Sequence, residues 1–194
     1  MREGSERILD DRFCVVVNDR SAMVMRLRLD ADGVGTAVEE IRALVSGADR
    51  VTWWVGSSAT PPDLADRLRE LGLGAPKPPV DPVSAAMVLT REPPPVPGVE
   101  VRLAGPQLRW LAFLDGRQAA TAKAIAGPAG LLLIGGSTEP WARGRGCYRA
   151  LVRARWDEAV RRGTPALVVQ AGPLSEPILR RLGFERVATI EALE

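Results

Sequence analysis

Histidine is absent from the 194 residues. That removes Ser-His-Asp and Cys-His nucleophile pairs, histidine general bases and the common zinc sites together, and no metal site is expected. Cys14 and Cys147 are the only cysteines, too few for a disulfide framework and not at zinc-ligand spacing. Lys77 and Lys123 are the only lysines among 26 basic residues, so the positive charge is almost wholly arginine. With plentiful Ala, Gly and Pro, this reads as a GC-rich bacterial coding bias. Tyrosine occurs once, at Tyr148. No apolar run approaches the ~18 residues of a membrane-spanning helix. The polar start Met1-Arg2-Glu3-Gly4-Ser5-Glu6 has no apolar segment behind it. No signal peptide and no membrane partner are expected, and the location expected is cytoplasmic. The 26 basic residues face 24 acidic ones, a net charge of +2, which offers no excess for nucleic acid. Catalysis here has to draw on carboxylates, hydroxyls, a thiol, backbone dipoles or a borrowed cofactor.

What is present suits a folded protein. Hydrophobic residues are 46% of the chain and charged residues 26%, enough apolar surface to offset chain entropy. The prolines cluster at Pro76, Pro78, Pro79 and Pro82 and again at Pro93, Pro94, Pro95 and Pro97. Proline fixes φ and cannot donate to a sheet ladder, so both clusters read as extended connectors. The expected organisation is a first half over 1–90, a Pro-rich linker over 91–98 and a second half over 99–194.

In the first half, Arg12–Asn18 and Ala22–Leu29 alternate like strands around an Asn-Asp-Arg-Ser turn. Thr36–Val45 reads as a helix and Val51–Val55 as a buried strand. Thr60-Pro61-Pro62-Asp63 reads as an N-cap with prolines in the first turn. Leu64, Leu68 and Leu71 would line that helix, and Gly72 would end it. Ser84–Thr90 is a further strand. In the second half, strands are expected over Val99–Leu103, Arg109–Leu114, Arg117–Ile125 and Leu131–Gly136, with Asp115-Gly116 as a hairpin turn. A helix follows over Gly146–Arg162, its buried stripe at Tyr148, Leu151, Val152, Trp156, Ala159 and Val160. Ala166–Ala171 is a strand, Ser175–Leu182 a short helix with Ser175 as N-cap, and Phe184–Ile190 a last strand. Leu71-Gly72-Leu73 and Leu182-Gly183-Phe184 close the same succession in each half. The expectation is an α/β protein with mixed sheets, made of two copies of one divergent unit.

The informative stretch runs from Ile134 to Tyr148: strand, turn, Arg143-Gly144-Arg145-Gly146, then a long helix. The first N–H groups of a helix lack internal partners, and the peptide dipoles place positive charge there. Glycines allow close approach to the main chain, and guanidinium forks suit phosphate oxygens. Together they describe an anion site of pyrophosphate size. Neither Gly-x-x-x-x-Gly-Lys-Ser/Thr nor Gly-x-Gly-x-x-Gly occurs, which argues against a triphosphate loop and a dinucleotide fold.

These residues resemble the coenzyme A loop, Gln/Arg-x-x-Gly-x-Gly/Ala, of the GNAT N-acetyltransferase superfamily. Tyr148-Arg149-Ala150-Leu151-Val152 and Pro177-Ile178-Leu179-Arg180-Arg181-Leu182-Gly183-Phe184 extend the resemblance over about Val99–Leu193. Trp53 to Leu73 resembles the degenerate first copy of tandem members. The resemblance implies a GNAT-like fold whose sheet opens between Leu131–Gly136 and Ala166–Ala171. It implies acetyl-CoA as cofactor, with Gly136, Ser137 and Thr138 on the pantetheine and Arg143, Gly144, Arg145, Gly146, Cys147 and Tyr148 around the pyrophosphate. It implies direct acetyl transfer to an amine acceptor, with a base taking the amine proton and an acid protonating the thiolate.

Three departures stand out. Tyr148 replaces the last small residue of the loop. Leu179 stands where the family often has its proton-donating tyrosine. Only Ala104-Gly105-Pro106-Gln107-Leu108 stands where two helices usually cover the acceptor, so the first half or a second subunit (a homodimer) covers the site, or it lies open. Glu139, at the end of the wedge strand, is the candidate general base, where burial would raise its pKa. Ser175 is the nearby hydroxyl able to orient a water. Cys147 reads as a small filler, and Trp141 as either core or an adenine stack. Asp30 and Asp32 take the place of the two arginines in the first half, so one cofactor site per chain is expected. The alternative to an enzyme is a coenzyme A-binding regulatory module that has lost turnover.

Overall fold

The computed structural model describes residues 6–18, 20–105 and 108–194. The expected turn at Asp19, the linker residues Pro106 and Gln107, and the start Met1–Ser5 lie outside the described residues. Two compact units divide the chain: Met1–Ser84 with Ala188–Glu194, and Ala85–Val187.

The first unit carries β1 (Glu6–Leu9), β2 (Cys14–Asn18), β3 (Ser21–Met25), α1 (Val34–Leu44), β4 (Arg50–Gly56) and α2 (Leu64–Glu70). Strand β5 (Val83–Leu89) leads into the second unit, which continues through β6 (Glu100–Leu103), β7 (Arg109–Leu114), β8 (Arg117–Gly127) and β9 (Gly130–Thr138). There follow α3 (Cys147–Arg161), β10 (Leu167–Ala171) and α4 (Glu176–Arg181), and β11 (Glu185–Leu193) returns the chain to the first unit.

In the first unit β1, β2 and β3 form an antiparallel meander, β3 and β4 run parallel, and β11 pairs antiparallel with β4 from Ile190↔Gly56 to Leu193↔Trp53. Val34, Ala37, Val38 and Ile41 sit three or four residues apart, so α1 buries one stripe. That stripe packs with Phe13, Val15, Val24, Trp53, Leu64 and Leu68. Each such side chain, fully buried, contributes about 1.5–3 kcal/mol.

In the second unit β6, β7, β8 and β9 are successive antiparallel neighbours, β9 and β10 are parallel, and β5 pairs antiparallel with β10. Asp115-Gly116 forms the expected tight hairpin, both residues at positive φ (51° and 77°). Helix α3 lies on β7, β8 and β9 and buries Leu151, Val152, Trp156 and Ala159. Tyr148 is half-buried, while Val160, expected in the stripe, is 50% exposed. Arg155 and Glu158 are buried instead, the latter bonded by Arg161 and Arg162. Both units thus repeat strand, 3-10 turn, helix, parallel strand and short helix.

The division falls earlier than the halves expected from composition, and 91–98 lies within the second unit. Residues 188–194 belong to the first unit and are tied to it at Glu194. Glu194 exchanges backbone bonds with Gly74, and its carboxylate accepts from Arg50, from the Thr52 hydroxyl at 3.1 Å and from the Lys77 N–H at 3.1 Å. Two expected caps also differ. The Thr60 hydroxyl bonds the Leu29 carbonyl, and α2 begins four residues later without a side-chain cap. The Ser175 hydroxyl donates to the Gly172 carbonyl at 3.2 Å rather than capping α4. No described helix is long and apolar enough to cross a membrane.

Partial burial works to raise the Glu194 carboxyl, but the bonds from Arg50, Lys77 and Thr52 outweigh it and hold it below the ordinary carboxylate range. A depressed carboxylate stabilises the folded state above its unfolded pKa and loses that contribution as pH falls through the folded value. Glu194→Gln is therefore expected to cost about 1–3 kcal/mol at neutral pH. Urea midpoints of variant and parent should converge in acid.

Candidate functional site

The site begins where a ladder stops. Parallel pairing of β9 with β10 runs from Leu131↔Leu167 to Leu133↔Val169. Both strands continue, β9 to Thr138 and β10 to Ala171, without further pairing to each other. On the other side β9 remains joined to β8, but the register shifts: Lys123 faces Ile134 and Thr121 faces Ser137. An extra residue on β9 is a bulge, and bulges bend the strand that carries them. Gly135 makes it possible at φ 57°, a region costly for residues with a Cβ. Main-chain groups of Gly135–Thr138 and Gln170–Ala171 therefore line a V-shaped opening.

Beyond the wedge the chain takes a 3-10 turn over Pro140–Ala142 and enters α3 through Gly146 at φ 87°. The first helical bond into α3 runs from the Ala150 N–H to the Gly146 carbonyl. The N–H groups of Cys147, Tyr148 and Arg149 make no hydrogen bond among the described residues, as a helix start dictates. Here the positive end of a 15-residue helix meets a cavity of about 410 Å³.

Three segments build that cavity. Gly144 and Arg149 come from the loop and first turn of α3, and Ile178, Arg181 and Leu182 from α4 and its end. The third wall is Pro94-Pro95-Val96, the stretch that composition alone reads as a linker. Arg153 pins this wall, donating to the Pro93 carbonyl at 2.9 Å and pairing with Glu92 at 2.5 Å. Val96 lies so near that a Cβ on Gly146 would stand 3.0 Å from its Cγ1. Among the described residues no carboxylate lines the cavity. Arg149 and Arg181 on it and Arg143 beside it are exposed, with no hydrogen bond or ion pair among the described residues. Most other exposed arginines, from Arg12 to Arg186, hold a carboxylate. Unneutralised cations, free N–H groups and a helix dipole converge on one space, which is the chemistry of a polyanion site.

The expected site residues distribute unevenly over this frame. Gly136, Ser137 and Thr138 lie on the unpaired end of β9, and Arg143, Gly144, Gly146 and Tyr148 surround the helix mouth. Arg145 turns away: it pairs with Asp115 at 3.2 Å and stands 6.0 Å from the Trp141 ring, on which Arg117 stacks at 4.5 Å. Cys147 is buried in the core, a small filler. Glu139 is exposed, its N–H bonded to the Ala119 carbonyl, so the burial expected of a base is absent. Ser175 has its hydroxyl engaged, and Leu179 is fully buried.

Missing from the expectation of the cavity were the proline wall and Arg181. The only available signal for the wall was topological: β5 and β6 lie at opposite ends of this unit's strand order, so 90–99 must cross between them. On the sheet face opposite α3, Ile125, Leu132 and Val168 form a row across neighbouring strands and are 40–52% exposed.

No protein-family profile matches the chain, and no curated protein matches its sequence. Solved structures match its fold. A GCN5-related N-acetyltransferase from Kribbella flavida aligns with a TM-score of 0.77 at 19% identity, covering 98% of this chain and 89% of that one. A GCN5-related N-acetyltransferase from Sphaerobacter thermophilus gives 0.64 at 17% identity, over 95% of this chain and 81% of its own. A tandem GNAT protein from the clavulanic acid biosynthesis pathway gives 0.66 at 17% identity, over 93% and 77%. The chain has the mixed-sheet fold of the GNAT acyltransferases.

A polyanion probe reads the cavity directly. Arg149→Ala is expected to weaken inorganic pyrophosphate about tenfold or more, the worth of a charge-assisted bond. Arg145→Ala should leave it within about twofold, since its partner is an exposed carboxylate. Calorimetric titration of both variants checks this.

Proposed function

We propose that this chain is an N-acyltransferase that takes an acetyl group from acetyl-CoA and passes it to an amine. The observation that carries the reading is the parting of β9 and β10 after Leu133 and Val169, beside a carboxylate-free cavity at the mouth of α3. An acyl-donor substrate of this kind is a peptide-like arm joined to a pyrophosphate, and the two features match its two parts. Main-chain groups of Gly136, Ser137 and Thr138 would pair with the arm. The N–H groups of Cys147, Tyr148 and Arg149, with Arg143, Gly144 and Gly146, would hold the pyrophosphate. Arg149 and Arg181 would take the remaining phosphate charge. The substrate itself brings an acyl group activated as a thioester.

The amine acceptor would approach from the face opposite α3, where the Ile125, Leu132 and Val168 row is open. An open approach suits a bulky amine such as a peptide terminus. Glu139 at the wedge rim is the proposed acceptor of the amine proton, through water. Ser175 acts through the backbone it fastens rather than as a free hydroxyl.

The first unit is proposed to be a second, sealed copy of the same fold. Where β3 and β4 would part, Thr60 closes the gap: its N–H bonds the Leu27 carbonyl, and its carbonyl accepts from the Leu29 N–H at 3.0 Å. Leu27 and Leu29 are buried there, and Asp30 and Asp32 stand where the other unit presents arginines. The sealed gap supports one acyl-donor site per chain, with the halves 1–90 and 99–194 as descendants of one unit.

A second reading, a coenzyme A-binding module without turnover, is favoured by the exposure of Glu139 and the apolar Leu179. The decisive experiment is acetyl-CoA titration followed by thiol release against polyamines, amino sugars, amino acids and peptide termini. One molecule should bind per chain and raise the melting temperature, and at least one amine should release thiol. Binding without release would leave the module, and two molecules per chain would remove the sealed copy. Unmoved melting would remove both readings.

A further inference from the structure

Helix α3 reaches the bulge from above on both of its strands. Lys123 is the last residue of β8 in regular register with β9, opposite Ile134. Beyond it one residue of β8, Ala122, stands against two of β9, Gly135 and Gly136, before Thr121 meets Ser137. On the β9 side the Tyr148 ring lies over Gly136, where a Cβ would come within 3.3 Å of Cε2. On the β8 side, two helical turns later, Arg155 donates from Nη1 to the Lys123 carbonyl at 3.4 Å. The sequence makes room for that reach. Toward α3, β8 presents Ala120, Ala122 and Ala124, all buried, so no long side chain of β8 screens its main chain from the guanidinium.

Arg155 is kept there against its own stability. It is 1% exposed and has no carboxylate partner among the described residues. Nε donates to the Leu151 carbonyl at 2.9 Å, one turn back in the same helix, while Nη2, sealed from solvent, has no partner. Burial pulls the guanidinium down to about 10, with Tyr148 opposing, and the group stays charged at neutral pH. A buried cation with an idle donor destabilises a fold relative to an apolar side chain of similar length. Such departures gather where a protein gives up stability for a site. The neighbours Leu151, Val152 and Trp156 fill the same core with apolar side chains. What the arginine adds over them is a bridge from helix main chain to strand main chain.

Resting on the acyl-transfer reading, we propose that Arg155 is a positioning residue for the wedge. One planar guanidinium ties the Leu151 carbonyl of α3 to the Lys123 carbonyl of β8, and so fixes where the regular pairing of β8 with β9 ends. The bulge at Gly135 and Gly136 then stays in place, and the end of β9 stays free of β10 to receive the arm of the acyl donor. Buried in the core, Arg155 acts through these strands and not on the donor itself. The helix mouth is a separate device. It is made of main-chain N–H groups and Arg149 two turns away, so the pyrophosphate end of the donor is held without Arg155.

Arg155→Met fills similar space without the donors or the charge. Its unliganded melting temperature should equal or exceed the parent's, since an unpaired buried cation is gone. In calorimetric titration acetyl-CoA should bind about tenfold more weakly, the worth of a charge-assisted bond. Inorganic pyrophosphate should bind as it does to the parent. Amide hydrogen exchange should quicken over 135–138 of β9 and not over 131–133. Arg155→Lys, which can still donate to the Lys123 carbonyl, should recover most of the acetyl-CoA affinity. If the methionine variant does not fold, Arg155→Gln carries the same comparison. Parental acetyl-CoA affinity in the variant, an equal loss of pyrophosphate, or unmoved exchange over 135–138 overturns the assignment. A parent that binds pyrophosphate but not acetyl-CoA removes the acyl-donor reading instead. Exchange over 135–138 then decides alone whether Arg155 holds the bulge.

Discussion

The parting of β9 from β10 governs the second unit. A sheet interior pairs its backbone groups almost without exception, because an unpaired buried N–H or carbonyl costs free energy of the order of a lost hydrogen bond. Here the pairing stops after Leu133 and Val169, inside strands that run on. The bulge at Gly135 bends β9 outward and presents its edge to whatever enters. Such an edge behaves as a template for an extended, amide-bearing chain. The helix that follows begins one loop further on, so a strand edge and a helix dipole lie close together.

The first unit shows the same succession with the opposite outcome. A single residue, Thr60, satisfies the groups that would otherwise stand free, through two backbone bonds and one from its hydroxyl. The two units differ in whether the residue after the second parallel strand folds back onto the first or stays away. In the second unit the chain after Ala171 turns at Gly172, whose carbonyl accepts from both the hydroxyl and the N–H of Ser175.

Much of this was legible in residue patterns, and the exceptions have physical causes. Alternation and the Asp115-Gly116 turn located β7 without error, and α3 lay within a residue of its expected ends, because both depend on short-range signals. The burial of Arg155 was not legible, since a face reading treats arginine as solvent-facing, whereas this one is held by carbonyls of Leu151 and Lys123 from two elements. The pairing of Arg145 with Asp115 was not legible, because that partner lies thirty residues away in a hairpin. The proline run read as a spacer, and its service as a cavity wall follows from where the two ends must attach. Thr60 and Ser175 looked like caps from their neighbours but spend their hydroxyls on carbonyls that tertiary folding brings near.

The first unit borrows its outer strand from residues 188–194, which pair with β4 and clasp Gly74. Vectorial synthesis gives this arrangement a direction. The ribosome delivers every residue of the second unit before it delivers the strand that completes the first. Birth order and completion order are therefore reversed: Trp53 and Trp54 of the earlier-made lobe gain their partners on this side of β4 only after the later-made lobe has been synthesised.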